Sequence, residues 1–133
     1  MLVSYHLHQS IWDSGLPICF AVCTEGQNHD GFAPKVSDRL WYTLRQIGSA
    51  PIGSLVTNSV NGQKFYGIVC YSAAEKRWYY DAIRDCFDKI NDYERSSPVA
   101  SVVLCKGIRG AVRHRVLQSM DDSLARVCLH ERF

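Results

Sequence analysis

An uninterrupted apolar run lies near the amino end of the chain. Residues 17–23, PICFAVC, carry no charged side chain and lie between Gly15 and Gly26. An apolar run of this length between turn residues is typical of a strand that is covered on both faces. Strands of that kind occur in parallel sheets with helices on either side. The run therefore favours an α/β fold.

Size and composition restrict the architecture further. The chain has 133 residues, of which 47% are hydrophobic and 21% are charged. These values are ordinary for a globular protein, and we expect one domain over residues 1–133. A chain of this length can bury a hydrophobic core without metal or disulfide crosslinks, which excludes disordered and multidomain architectures. The formal net charge of +2 is too balanced to favour binding to a nucleic-acid duplex.

The middle of the chain carries a hairpin pattern. Two runs rich in β-forming residues, 54–60 and 64–71, flank Asn61-Gly62. Asn-Gly between two such runs predicts a two-residue hairpin, because both residues tolerate positive φ. We therefore expect these two strands to pair antiparallel.

Helical and strand patterns alternate along the rest of the chain. Apolar residues that recur every three or four positions predict amphipathic helices, and short alternating or fully apolar runs predict strands. Besides the hairpin, the predicted elements are strands 2–8 and 17–23, helix 34–47, helix 74–93, strand 99–105, a helix that ends at Met120, and strand 124–130. This order predicts a mixed sheet with helices on both faces.

The cysteines and the amino end of the chain suggest a cellular location. The six cysteines lie in or beside apolar runs, and no two form a CxxC pair. Residues 1–10 lack the pattern of a secretory signal, and no stretch reaches the roughly 18 apolar residues of a membrane span. We expect an intracellular protein, cytoplasmic or nuclear, that is not secreted and has no membrane partner. Its cysteines would then stay reduced and act as small buried hydrophobes.

Two histidines form a candidate metal site. His6 and His8 lie on one face of the first predicted strand. A zinc site needs further ligands at a matching spacing, and no CxxC or HxxxH motif follows. No metal and no cofactor is therefore predicted.

Two glycine-containing loops each lie between a predicted strand and a predicted helix. They are residues 24–33, TEGQNHDGFA, and the start of residues 106–116, KGIRGAVRHRV. In open α/β sheets, ligands bind outside the carboxyl ends of the strands, and helix N-termini there attract phosphate. The second loop also carries a cluster of basic residues, which suits an anion. The alternative interpretations are plain turn chemistry for the glycines and a solvated helix face for the charges.

Over nearly its whole length the chain resembles the macrodomains, and within them the small subgroup of terminal ADP-ribose protein glycohydrolase. The family's opening strand is similar to VSYHLHQSI, and its second strand and loop to CFAVCTEGQNHDGFA. Its central hairpin is similar to GSLVTNSVNGQKFYGIVCY, its later strand and loop to SVVLCKGIRGAVRHRV, and its last strand to ARVCLHE. The resemblance implies a macrodomain-like three-layer α/β/α fold with a mixed central sheet.

The resemblance also implies an ADP-ribose site between the two loops. The first loop would hold the distal ribose and diphosphate, and the second would surround the diphosphate with backbone amides. The first loop keeps only the second glycine of the family's Gly-x-Gly-Ile-Ala pattern. Where many members have an aspartate that contacts adenine, this chain has His8-Gln9, and the glutamine amide offers both a donor and an acceptor. The implied ligand-binding residues are Gln9, Asp30, Gly31, Phe32, Ala33, Gly107, Ile108, Arg109, Gly110 and Ala111.

The catalytic residues of the subgroup have no counterpart. Its lysine falls at Cys70 or Tyr71 of this chain, and its aspartate at Val112 or a neighbour. Valine is no general base, and tyrosine cannot form the lysine's adduct with an opened sugar. No catalytic residue is assigned, although Asn28 or Asp30 could orient a water, as in other macrodomain hydrolases.

Three functions follow from this resemblance. The first is binding of ADP-ribose, or of a related nucleotide or an ADP-ribosylated protein, in a viral or host-defence setting. The second is an ADP-ribosyl glycohydrolase that removes ADP-ribose from macromolecules. The third is a degenerate macrodomain that acts as a protein-interaction or assembly module. The incomplete first loop and the missing lysine and aspartate favour the first or third function over the second.

Overall fold

The computed structural model describes residues 2–24, 50–101 and 111–132. The strands of this part are β1 (Leu2–Ser10), β2 (Ile18–Cys23), β3 (Leu55–Val60), β4 (Gln63–Ser72), β5 (Arg77–Trp78), β6 (Val99–Ser101) and β7 (Arg126–Arg132). Its helices are α1 (Tyr80–Tyr93), α2 (Arg113–Asp122) and a turn of 3-10 helix at Ile11–Asp13. The helix predicted at 34–47 lies outside the described residues. None of the described helices is long and apolar enough to cross a membrane.

The described strands form one mixed sheet in the order β1-β7-β6-β2-β4-β3. The neighbouring strands β1, β7, β6, β2 and β4 run parallel to one another. Strands β3 and β5 each pair antiparallel with β4. The six residues of β2 are all buried, as expected for the apolar run. The mixed sheet predicted from the sequence is confirmed.

The hairpin between β3 and β4 is confirmed. Val60 pairs with Gln63, so Asn61 and Gly62 alone form the turn. Both have positive φ, 50° and 81°, as a tight turn that follows the twist of the strands requires.

The predicted helix 74–93 begins six residues later than expected, at Tyr80. A turn and the short strand β5 occupy the start of the range, and Arg77 pairs with Ser72. The Ser72 hydroxyl accepts a hydrogen bond from the Glu75 amide, and Lys76 adopts a left-handed φ of 53°. Because that backbone conformation is incompatible with a helix, the prediction was wrong for this stretch.

The first and last strands differ from the predicted bounds by two residues. The first extends to Ser10, and the last begins at Arg126 rather than at residue 124. Leu124 lies in the preceding turn with 69% of its surface exposed. Its apolar side chain was therefore wrongly interpreted as the first buried residue of the strand.

The described α-helices pack on one face of the sheet. Val116 and Met120 of α2 and the apolar face of α1 bury the same cluster of strand residues. The opposite face carries a second cluster that includes Ile11 of the 3-10 helix. The buried members of the first cluster from α1 are Ala82, Ile83, Cys86, Phe87 and Ile90.

Most of the described cysteines are buried, as expected for small hydrophobic residues. Cys19, Cys23, Cys70 and Cys86 are buried, and Cys128 is half-buried. Burial raises the pKa of the Cys19 thiol, and it raises that of Cys86 to about 11. A buried thiol with a raised pKa is a poor nucleophile, which fits a structural role.

A small polar network ties the end of α1 to the start of β4. Glu94 accepts hydrogen bonds from the Tyr66 hydroxyl and from Lys64 Nζ, the latter at 2.9 Å. Burial alone would raise the pKa of Glu94, but these two hydrogen bonds outweigh it and hold the pKa below its ordinary value. The carboxylate is therefore charged and bound in the folded chain.

Replacing Glu94 by glutamine should make stability less sensitive to acid. Because the folded-state pKa is lowered, the carboxylate stabilises the fold above its ordinary pKa of 4.5, and this contribution is lost as the pH falls through the folded-state value. We expect Glu94→Gln to lower the unfolding free energy by about 1 kcal/mol at pH 7 and by much less at pH 3. Urea unfolding at both pH values measures the difference.

The matched control is Glu75→Gln. Glu75 also accepts a hydrogen bond from a tyrosine hydroxyl, that of Tyr79, but it lies on an exposed turn. Its expected effect is below about 0.5 kcal/mol at either pH. An equal loss of stability at pH 7 and pH 3 in Glu94→Gln would contradict a role for the charge.

Candidate functional site

The parallel strands end together along one edge of the sheet, which we call the carboxyl edge. It comprises the ends of β1, β7, β6, β2 and β4. Both glycine loops predicted from the sequence follow strands that run toward this edge. The first follows β2, and the second follows β6. Because β2 and β6 are parallel neighbours, with Cys19 opposite Ser101, the two segments leave adjacent strands in the same direction.

The segment that contains the first loop is held at both of its ends. Thr24 donates its amide hydrogen to the Tyr71 carbonyl at 2.9 Å. Ala50 donates its amide to the Thr24 carbonyl at 2.7 Å. Residues 25–49 themselves lie outside the described part. Their two ends therefore meet at the end of β2, beside the end of β4.

The segment that contains the second loop is also fixed on either side. Ser101 is buried, and its hydroxyl donates to the Cys19 carbonyl at 3.2 Å. On the other side, the Val112 amide donates to the Tyr80 hydroxyl at 2.9 Å. Residues 102–110 lie outside the described part. This second anchor ties the start of α2 to the start of α1.

The first turn of α2 is positively charged. Val112 occupies the N-cap position without a side-chain hydrogen bond, and the first turn contains no acidic residue. Arg113, His114 and Arg115 are the first three residues of the helix, and all three are exposed. Cations at a helix N-terminus oppose the helix dipole, typically by 0.3–1 kcal/mol each. A bound anion would reverse that cost.

The positions to which the resemblance assigns the subgroup's catalytic lysine and aspartate lie within the described part of the chain. Cys70 is buried in the core on the helix face of the sheet. Tyr71 is half-buried, and its ring packs on Trp78 with centroids 4.7 Å apart. Val112 is exposed at the start of α2. The side chains at these places therefore offer an aromatic ring and an aliphatic group.

Two of the predicted ligand residues lie within the described part. Gln9 is exposed near the end of β1, and its carbonyl lies 3.1 Å from His130 Nδ1. Ala111 is half-buried and packs against the core just before α2. Both lie at the carboxyl edge, although two strands separate β1 from β2. The others, which stay predictions outside the described residues, are Asp30, Gly31, Phe32, Ala33, Gly107, Ile108, Arg109 and Gly110.

His6, one of the two histidines considered as metal ligands, contacts another histidine and a serine. His6 stacks on the buried ring of His130 with centroids 5.3 Å apart, and its Nε2 lies 3.0 Å from the Ser4 hydroxyl. Within the described ranges, no three histidine, cysteine or acidic side chains form a group that could hold a metal ion.

Sequence reasoning missed the aromatic residues that support this edge. Tyr80 anchors Val112 and lies under the guanidinium of Arg115, which is 4.0 Å from its ring centroid. Trp78 packs on Tyr71 at the end of β4. The run Trp78-Tyr79-Tyr80 was a usable signal, since three consecutive aromatic residues cannot share one buried helix face.

The chain is similar to known proteins in structure, whereas the sequence comparisons found no match. No family model matches the sequence, and no curated protein matches it. The chain is similar to the macrodomain of Mycobacterium tuberculosis DarG, with a TM-score of 0.73, 12% identity and 97% of each chain covered. It is also similar to a macrodomain protein from Streptomyces coelicolor, with a TM-score of 0.67, 17% identity and coverage of 98% and 99%. A mutant Oceanobacillus iheyensis macrodomain with ADPR gives a TM-score of 0.64 and 11% identity, covering 96% of this chain and 82% of that one.

Proposed function

We propose that this chain, which has the macrodomain fold, binds ADP-ribose or a related ADP-ribose-containing ligand at its carboxyl edge. The ligand would lie between residues 25–49 and residues 102–110. An ADP-ribosylated protein is the partner that such a pocket would recognise.

The observation that carries the proposal is the adjacency of β2 and β6. From β2 the chain continues to β3 and β4 on one side, and from β6 it continues through α2 to β7 on the other. The connections after these two parallel strands therefore lead to opposite sides of the sheet. Ligands of open α/β sheets bind in the crevice at such a switch point. The two glycine-containing segments leave the strands on either side of that crevice.

The charge at the start of α2 supports an anionic ligand. Arg113 adds positive charge to a helix N-terminus whose N-cap residue makes no side-chain hydrogen bond and whose first turn has no acidic residue. A diphosphate placed beside residues 102–110 would meet both the helix dipole and this cation. The solved macrodomain with ADPR supports the choice of nucleotide.

Binding is favoured over hydrolysis by the side chains at the two catalytic places. Tyr71 packs on Trp78, and Val112 carries no titratable group. Tyrosine cannot form the lysine's adduct with an opened sugar, and valine cannot act as a general base. The proposed activity is therefore recognition without turnover.

Calorimetric titration with ADP-ribose tests the proposal, with AMP and NAD as controls. We expect a micromolar Kd, on the order of −8 kcal/mol, and weaker binding of AMP, which lacks the second phosphate and the distal ribose. Absence of both heat and thermal stabilisation with all three ligands would overturn the proposal and favour the interaction module.

A further inference from the structure

A small cavity of about 140 Å³ lies where β5 meets the starts of the two α-helices. It adjoins the carboxyl edge, since Tyr80 in its wall accepts the Val112 amide. The proposed ADP-ribose pocket does not use it. The lining residues are Arg77, Trp78, Tyr79, Tyr80, Asp81 and Arg115.

Two guanidinium groups in this lining each lie over a tyrosine ring. Arg115 is 4.0 Å from the ring centroid of Tyr80, and Arg77 is 4.6 Å from that of Tyr79. Attraction to the aromatic face restricts the orientation of a guanidinium group. Its N–H donors lie in its own plane and remain available to a ligand.

Hydrogen bonds hold both tyrosine rings in place. The Tyr80 hydroxyl accepts a hydrogen bond from the Val112 amide. The Tyr79 hydroxyl donates a hydrogen bond to the Glu75 carboxylate. The backbone of Glu75 is held in turn, because its amide donates to the Ser72 hydroxyl. Each arginine thus lies over a ring that is already hydrogen-bonded before a ligand binds, and such preorganisation favours affinity.

The cavity has more positive than negative charge. Of the ion pairs among the described residues, none involves Arg77 or Arg115. Asp81 also lines the cavity, but its side chain is 90% exposed and lies 4.0 Å from Arg84. Two cations without a carboxylate partner within the described part favour an anionic ligand.

The geometry points to a phosphate-binding site formed by Arg77 and Arg115, separate from the ADP-ribose pocket. Its ligand is a phosphate dianion, either free phosphate or a terminal phosphate monoester. A tetrahedral dianion presents oxygens on several sides and matches two guanidinium charges from different elements. A carboxylate has one charge and two oxygens in a single plane, which suits one arginine. A cavity of about 140 Å³ has room for a phosphate group.

Titration of the folded protein with inorganic phosphate at fixed ionic strength tests the site. Amide and arginine side-chain NMR shifts around β5 and the first turn of α2 should saturate. We expect Arg77→Gln and Arg115→Gln each to weaken binding by about tenfold, because each removes charge-assisted hydrogen bonds. The phosphate affinity of Arg77→Lys should lie between those of the wild type and Arg77→Gln, since lysine keeps the charge but lacks the planar guanidinium group. The matched control is Arg126→Gln, at the exposed start of β7.

Two further binding measurements distinguish this site from the ADP-ribose pocket. Phosphate should bind equally well in the presence of saturating ADP-ribose, and Arg77→Gln should leave ADP-ribose affinity unchanged. Dimethyl phosphate, a singly charged diester, should bind at least about tenfold more weakly than phosphate. Displacement of phosphate by ADP-ribose, equal binding of the diester, or equal phosphate binding by Arg77→Gln and wild type would overturn the inference. If ADP-ribose does not bind at all, the phosphate titration still decides on this site.

Discussion

Replacing Gly110 by glutamate is expected to abolish ADP-ribose binding. Gly110 belongs to the second glycine loop and precedes Ala111, where the chain enters the positively charged start of α2. A glutamate there adds both bulk and a negative charge beside the proposed position of the diphosphate. We expect affinity to fall by at least about 100-fold, or roughly 3 kcal/mol, in a calorimetric titration.

The comparison needs a variant that adds the same charge elsewhere. Ser97→Glu serves, because Ser97 is exposed in the turn before β6, at the opposite end of that strand from the carboxyl edge. It should bind ADP-ribose like the wild type. Cooperative thermal unfolding followed by circular dichroism shows whether each variant is folded. Wild-type affinity in a folded Gly110→Glu variant would place the ligand away from residues 102–110.

The parts of the fold that could be predicted are those where local chemistry and burial agree. The run that forms β2 is apolar because both faces of the strand are covered, and Asn61-Gly62 forms the hairpin turn because both residues accept positive φ. The resemblance to macrodomains is confirmed at the level of the fold. The glycohydrolase-like subgroup stays a prediction, since the structural relatives do not distinguish it.

The predicted start of α1 was wrong because tertiary pairing overrode a helical pattern. Residues 74–79 include good helix formers, yet Arg77 and Trp78 pair with the end of β4. The turn that makes this possible depends on Lys76 in a left-handed conformation, which few non-glycine residues adopt. No periodicity in the sequence indicates such a turn, and only the aromatic run at residues 78–80 argued against a helix.

The candidate site was predictable only as a position in the sheet. Glycine loops after strands indicate the carboxyl edge, and the anchors at Thr24 and Val112 agree with that position. The cavity between Arg77 and Arg115 depends instead on residues 38 positions apart in sequence (115 minus 77), brought together by the packing of α1 against α2. Such contacts follow from helix packing, which a single sequence does not specify.

Replacing Phe87 by alanine is expected to cost about 3–5 kcal/mol of unfolding free energy. The Phe87 side chain is fully buried on α1, in the cluster shared by both helices and the sheet. Removing the ring loses its transfer free energy and leaves a cavity that close-packed neighbours fill only in part. Since a domain of this kind has about 5–15 kcal/mol of total stability, the variant should unfold at a much lower urea concentration.

Tyr93→Ala is the matched control, because it removes a large aromatic side chain from the same helix at a position 64% exposed. Its expected loss is below about 1 kcal/mol. Phe87→Leu, which keeps most of the apolar volume, should cost about 1–1.5 kcal/mol. The ratio between the two alanine variants measures how much of the fold depends on the packing of α1 against the sheet. Equal losses for Phe87→Ala and Tyr93→Ala would contradict the burial of Phe87, and with it the placement of α1 that supports Tyr80 at the carboxyl edge.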